Sequence, residues 1–192
     1  MKGGYQPQKF WDTWSRDFIK DPWQAKTHTQ HQWLLEKIKR SKPQTILEVG
    51  CGFGRNINFL INNNIDPKRI TGVDISPKMI HEAEKYLNKR SLRLITAHAE
   101  QLPFKDKSFD VVFTHGVFMH ISPQKINRAF QEIVRVTRKY VIIIEQNYIT
   151  SDVSNYTFVH DYKKLCNDSK LILIEYNRDN KLGLDLIYCK VR

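Results

Sequence analysis

Three glycines at alternate positions, Gly50, Gly52 and Gly54, sit in the segment ILEVGCGFGRN, between an apolar run and the pair Arg55-Asn56. A turn of this composition lets backbone N–H groups approach a ligand with no Cβ in the way, and a helix starting there adds partial positive charge. Asp74 stands about 20 residues further on, at the end of the next apolar run, where a carboxylate accepts both hydroxyls of a ribose. The pattern therefore predicts a nucleoside site. A dinucleotide fingerprint needs G-x-G-x-x-G, and here the third glycine comes one residue early. No Lys-Ser/Thr follows, as a phosphate-cradling P-loop requires.

The glycines need a strand before them and a helix after them. "PQTILEV" reads as a short buried strand and "NINFLINNN" as a helix with Ile57, Leu60 and Ile61 on one face. "RITGVDIS" is a second strand. Ser76 caps the next helix, "PKMIHEAEKYL", with Pro77 in its first turn. "LRLITAHAE" and "FDVVFTHG" are further strands. "SPQKINRAFQEIVRVT" repeats the Ser-Pro helix start at Ser122 and Pro123, and "KYVIIIEQN" is a fifth strand. "TFVHDYKKLCN" predicts a short helix. "KLILIEYN" and "LDLIYCKV" close the chain as an antiparallel hairpin, since no helix separates them. Strands alternating with helices predict an α/β, doubly wound, mostly parallel sheet with helices on both faces.

Ahead of this core, "QHQWLLEKIK" predicts a helix, and residues 1–30 carry three of the four tryptophans among polar residues. Pro7 and Pro22 are expected to break this segment, and Trp11 and Trp14 to cover a ligand or dock on the core. The expectation is one domain over residues 1–192, with residues 1–30 as an aromatic lid or helix and 45–192 as the core.

Composition bounds the setting. Hydrophobic residues make up 41% and charged residues 27%, the profile of a globular domain. No apolar run approaches the roughly 18–20 residues of a membrane helix, and no secretory signal is visible at the N-terminus. Cys51, Cys166 and Cys189 are odd in number and far apart, which suggests neither a zinc site nor a disulfide framework. The compartment is read as reducing and cytoplasmic. The net charge of +11 arises in the first 140 residues and is scattered, a surface that could attract nucleic acid, anionic membranes or acidic metabolites, or simply be a solvated basic surface.

"ILEVGCGFGRN", "GVDISPKMIHEAEK", "AHAEQLPFKDKSFDVVFTHGVFMHI" and "AFQEIVRVT" resemble, in order, the motifs of the class I S-adenosylmethionine-dependent methyltransferases, closest to a small-molecule branch. The match runs from about Thr45 to Glu145. The resemblance implies a Rossmann-like sheet of seven strands in the order 3-2-1-4-5-7-6, its last strand antiparallel. It also implies S-adenosylmethionine as cofactor and S-adenosylhomocysteine as product. Glu48 would support the turn, and Gly50, Cys51 and Gly52 would line the methionine part. Asp74 would hold the ribose. Ile75 and Met79 would pack on the adenine, and Ala99 and Glu100 would read its edge. Thr114 and His115 would sit beside the methyl group. The family's "L-K-P-G-G" turn is replaced by "TRKY", which shortens the entry to the fifth strand. The C-terminal half also resembles methyltransferases of pseudaminic acid biosynthesis, which implies a sugar acceptor, although their glycine turn differs.

Transfer of a sulfonium methyl is an in-line displacement, so the protein chiefly aligns the acceptor and excludes water. A hydroxyl acceptor gains from a general base, and an amine must be neutral. Strand ends offer His115, His120 and Tyr148 as catalytic candidates, with Glu145 and His160 as substrate or lid residues. The reading is transfer to the O or N of a small molecule by a monomer or homodimer, with no metal and no membrane. The alternatives are an RNA or protein methyltransferase and a cofactor-binding scaffold without catalysis.

Overall fold

The computed structural model describes residues 5–24, 26–88, 91–148 and 156–192. Seven strands form one sheet: β1 (Ile46–Val49), β2 (Ile70–Asp74), β3 (Arg93–Thr96), β4 (Phe109–His115), β5 (Thr137–Gln146), β6 (Ile172–Asp179) and β7 (Leu184–Lys190). Among the described residues six α-helices accompany them: α1 (Pro7–Phe18), α2 (Thr29–Ser41), α3 (Arg55–Asn62), α4 (Pro77–Tyr86), α5 (Ile126–Val136) and α6 (Tyr162–Asp168). The strand order is β3-β2-β1-β4-β5-β7-β6, as the resemblance implied. Pairing is parallel from β3 to β5, while β7 runs antiparallel to both β5 and β6.

Strand side chains alternate between two cores. Leu47, Val49, Val112, Val141 and Ile143 face α5 and α6, where Ile126, Phe130, Ile133 and Leu165 meet them. Ile46, Val111, Phe113, Ile142 and Ile144 face the other way, onto Leu34, Ile38, Ile57, Leu60 and Ile80 of α2, α3 and α4. Largely apolar central strands are what two covered faces demand, with Glu48 in β1 a buried exception. The chain leaves β1 toward β2 and β3, then crosses back to β4. The crevice at the carboxyl ends of β1 and β4 is the topological switch point, where open α/β sheets bind ligands.

Several local expectations need correction. Pro7 does not break the N-terminal segment. It occupies the first turn of α1, where a missing N–H costs nothing. Helix α5 begins at Ile126, not at Ser122-Pro123; the Ser122 carbonyl instead accepts from Lys125 and Ile126 N–H in a turn that leads into it. Helix α6 begins at Tyr162, with the Asp161 carboxylate capping Lys164 N–H at 2.9 Å, so His160 precedes the helix. The "TRKY" stretch has no turn at all: α5 ends at Val136 and β5 starts at Thr137. Arg138 and Lys139 reach Asp110 at 3.0 and 3.3 Å and fix that abrupt junction.

The glycine turn is built by steric necessity. Gly50 has φ of 75°, and a Cβ there would strike the Val117 side chain. Gly54 has φ of 90° and caps α3, where a Cβ would lie 2.7 Å from Leu87 Cδ1. Both positions need left-handed backbone and close packing together. Gly54→Ala is expected to lower stability by about 1–3 kcal/mol in a denaturant titration; an unchanged midpoint would contradict this account of the turn.

Candidate active site

Two backbone bonds pin the turn to β2: Gly50 and Cys51 N–H both donate to the Val73 carbonyl, at 2.7 and 2.9 Å. Asp74 then acts as a clamp. Its Oδ2 accepts Gly52 N–H at 2.9 Å and its Oδ1 accepts Ser76 N–H at 2.9 Å. Ser76 Oγ caps α4 by accepting Met79 N–H at 3.0 Å, and its own proton goes to Asp12 of α1 at 2.5 Å. Asp74 is 8% exposed, and burial lifts its pKa to about 6 against the two N–H donors.

These residues wall a cavity of about 240 Å³. Gly50, Cys51, Gly52, Asp74, Ile75, Met79, Ala99 and Glu100 all line it, as do His115, His120 and Trp11. Glu100 is paired with Lys125 at 3.3 Å. Cys51 is buried and its thiol is pushed well up by burial, so it is a wall and not a nucleophile.

Other expected site residues stand outside the cavity. Glu48 is fully buried behind the turn, where Asn56 Nδ2 donates to its Oε1 at 2.7 Å; burial raises its pKa to about 8. It supports the turn without touching the cavity. Thr114 is fully buried at the strand end. Glu145, also fully buried, accepts Val117 N–H at 3.0 Å and Met119 N–H at 3.3 Å, and so holds the short 3-10 turn Phe118–His120. Tyr148, expected to be catalytic, is 46% exposed, lies against Gly183 and does not line the cavity. Trp14 is 48% exposed and packs on Phe10, outside the cavity. The His160 Nε2–H is shared between the Phe118 and Ile121 carbonyls at 3.0 and 2.9 Å, which makes it a brace for the turn that carries His120.

The two cavity histidines are both neutral near pH 7. His115 is held well below its usual range by burial and by Arg55, and His120 is lowered to about 4 by burial. Asn56 spends its N–H on Glu48, so its Oδ1 accepts from His115 Nδ1 at 3.1 Å. His120 Nδ1–H donates to the Tyr156 carbonyl at 3.1 Å. In each ring Nε2 is then left as the acceptor nitrogen. Sequence reading missed Tyr5, Phe53, Gln24, Arg55 and Asn56 of the wall. The run "GFGRN" had flagged the neighbourhood, but not which side chains turn inward.

The cradle fits S-adenosylmethionine. A Cβ at Gly52 would find only Phe18 Cε1, at 3.9 Å, and one at Gly116 would find nothing within 4 Å, so both backbones are open to a ligand. Asp74 keeps acceptor lone pairs beyond its two N–H donors for ribose hydroxyls. Ile75, Met79 and Ala99 offer an apolar slot for adenine. Among the described residues, no group of three or more His, Cys, Asp or Glu is placed to hold a metal ion, and no helix is long and apolar enough to cross a membrane.

Sheet order and nucleoside cradle together define a class I, Rossmann-like methyltransferase fold. The chain belongs to the methyltransferase domain family, whose sequence profile matches residues 47–144. S-adenosylmethionine is the cofactor of this domain. An uncharacterized methyltransferase of Schizosaccharomyces pombe is 31% identical over 160 residues, covering 73% of this chain and 55% of the relative. The tRNA N(3)-methylcytidine methyltransferase Mettl2 of Drosophila melanogaster is 24% identical over 162 residues, covering 78% of this chain and 50% of the relative. The magnesium protoporphyrin IX methyltransferase of Synechocystis PCC 6803 with bound SAM shares the fold at a TM-score of 0.74 and 12% identity, with 99% of each chain covered. The chain spans about half the length of these two curated relatives.

The Asp74 assignment has a signed pH dependence. Ribose hydroxyls donate to the ionised carboxylate, so binding favours loss of the proton held with a pKa of about 6. Calorimetric affinity for S-adenosylhomocysteine should rise from pH 5 to 7 and level off above that. Asp74→Ala should bind roughly tenfold or more weakly and lose the slope. Unchanged affinity in the variant would remove Asp74 from the ribose.

Proposed function

We propose that this protein transfers the methyl group of S-adenosylmethionine to an oxygen or nitrogen of a small molecule. The observation that carries this reading is the roof over the cavity. Helix α1 lies across its mouth, with Trp11 in the wall and Asp12 bonded to Ser76 at 2.5 Å. Trp11 stands edge-on to His120 at 4.9 Å, Phe10 packs on Tyr156 at 4.4 Å, and Phe18 meets Phe53 at 6.0 Å. An aromatic roof closing over the cavity that takes the cofactor suits a small acceptor and keeps water out. The loop after Gln146 is assigned to the same lid; residues 149–155 of it lie outside the described residues.

The bound sulfonium supplies an activated methyl group and a good leaving group. The chain's own contribution is alignment. Asp74 and the glycine turn fix the nucleoside, and the aromatic roof limits how an acceptor enters. His115 and His120 present neutral Nε2 atoms that can accept a hydrogen bond from a hydroxyl or amine. Rings held so far below neutrality are weak bases, so they orient the acceptor more than they deprotonate it. This suits an acceptor that is already neutral and nucleophilic.

An RNA acceptor is the second reading, favoured by the net charge of +11 and by the likeness to the tRNA methyltransferase. Labelled methyl transfer into a cell extract, split into metabolite, RNA and protein fractions, separates the two. Label should appear in the metabolite fraction; label in RNA, with binding that weakens steeply with salt, would replace the small-molecule reading. Removing residues 1–25 should lower turnover roughly tenfold or more while the core still melts cooperatively. Full turnover after the deletion would show α1 to be packing alone.

A further inference from the structure

Arg55 opens α3 directly after the glycine turn and lines the cavity. Its Nη1 is buried and meets no hydrogen-bond partner among the described residues. Arg55 as a whole is half-buried, but a guanidinium N–H held away from water without a partner costs free energy that an anion reaching it would recover. The acidic groups that act on it from a distance do not pair with it. Glu48 is engaged with Asn56 and, with its pKa raised to about 8 by burial, is largely protonated at neutral pH. Asp21 is exposed, on the segment that follows α1. The neighbouring His115 and His31 are neutral, since burial lowers both. The cavity wall therefore presents an unneutralised cation at one place.

That place can be located along the ligand. Asp74 at the end of β2, with Ala99 beyond β3, takes the nucleoside over one side of the sheet. The tail of the same molecule must then run over the ends of β1 and β4, past Gly50 and Gly52. Arg55 is three residues beyond Gly52, and Gln24 of the N-terminal segment lines the same cavity. The planar fork of arginine matches a carboxylate with two parallel bonds.

We propose that Arg55 pairs with the carboxylate of the cofactor's amino-acid tail and makes the site select the carboxylate-bearing sulfonium over its decarboxylated form. This rests on the cofactor assignment above. It gives the residue after the third glycine a specificity role, and it leaves the acceptor to be recognised under α1 by Trp11, His115 and His120.

The test is calorimetry on the full chain with two ligands: S-adenosylhomocysteine, which has the tail, and 5′-methylthioadenosine, the same nucleoside thioether without it. Arg55→Gln should bind the first roughly 10- to 100-fold more weakly and the second unchanged. Arg55→Lys keeps the charge but not the fork, should show an intermediate loss, and serves as the readout if the Gln variant does not fold. Equal loss for both ligands would reduce Arg55 to a packing residue and overturn the proposal. Full affinity for S-adenosylhomocysteine in the variant would also overturn it and assign the cation to the acceptor. A wild-type protein that binds neither ligand would retract the cofactor reading itself, and this one with it.

Discussion

The carboxylate of Asp74 is the joint on which this site depends. It takes one N–H from the glycine turn after β1 and one from the entry to α4, at 2.9 Å each. Ser76, fixed by that bond, caps α4 and reaches Asp12 on α1. One buried side chain thus ties the turn, the following helix and the roof. The arrangement is costly without a ligand: burial outweighs two good N–H donors and lifts the pKa to about 6. A ligand that donates further hydrogen bonds to the same oxygens offsets that cost. The geometry that holds the turn is therefore also the one the proposed ribose contact would use.

Two more buried carboxylates repeat the logic one layer back. Glu48 holds Asn56, which orients His115. Glu145 holds the N–H groups of Val117 and Met119, and so the turn that ends in His120. Both have pKa values raised by burial, to about 8 and about 7. Neither belongs to the cavity wall, yet each sets the position of a histidine that does. The strand ends supply rigid placement, and the polar network behind them supplies orientation.

Much of this was legible from local chemistry. The glycine spacing, the strand-end aspartate and the alternation of strands and helices are short-range signals, and they located the turn, Asp74 and the parallel core. The inward residues that depend on how segments pack were not legible. Arg55 looked like a charged helix start, and nothing in its neighbours showed that its Nη1 would be buried. Tyr148 followed a strand end like the others, but the β7 hairpin puts Gly183 beneath its ring and leaves it outside. Ser122-Pro123 carries the same helix signal as Ser76-Pro77, yet Ser122 only begins a turn and α5 starts at Ile126. Lys37, in the stretch read only as a helix, is buried against Glu175 of β6 at 2.7 Å, a contact between residues 138 apart in sequence that no local pattern announces.

A crystal structure of the complex with S-adenosylhomocysteine tests the central claim most directly. The account predicts both ribose hydroxyls within hydrogen-bond distance of the Asp74 carboxylate, adenine beside Ile75, Met79 and Ala99, and the amino-acid tail running along Gly50 to Gly52. A nucleoside bound elsewhere, or a ribose turned away from Asp74, would contradict it.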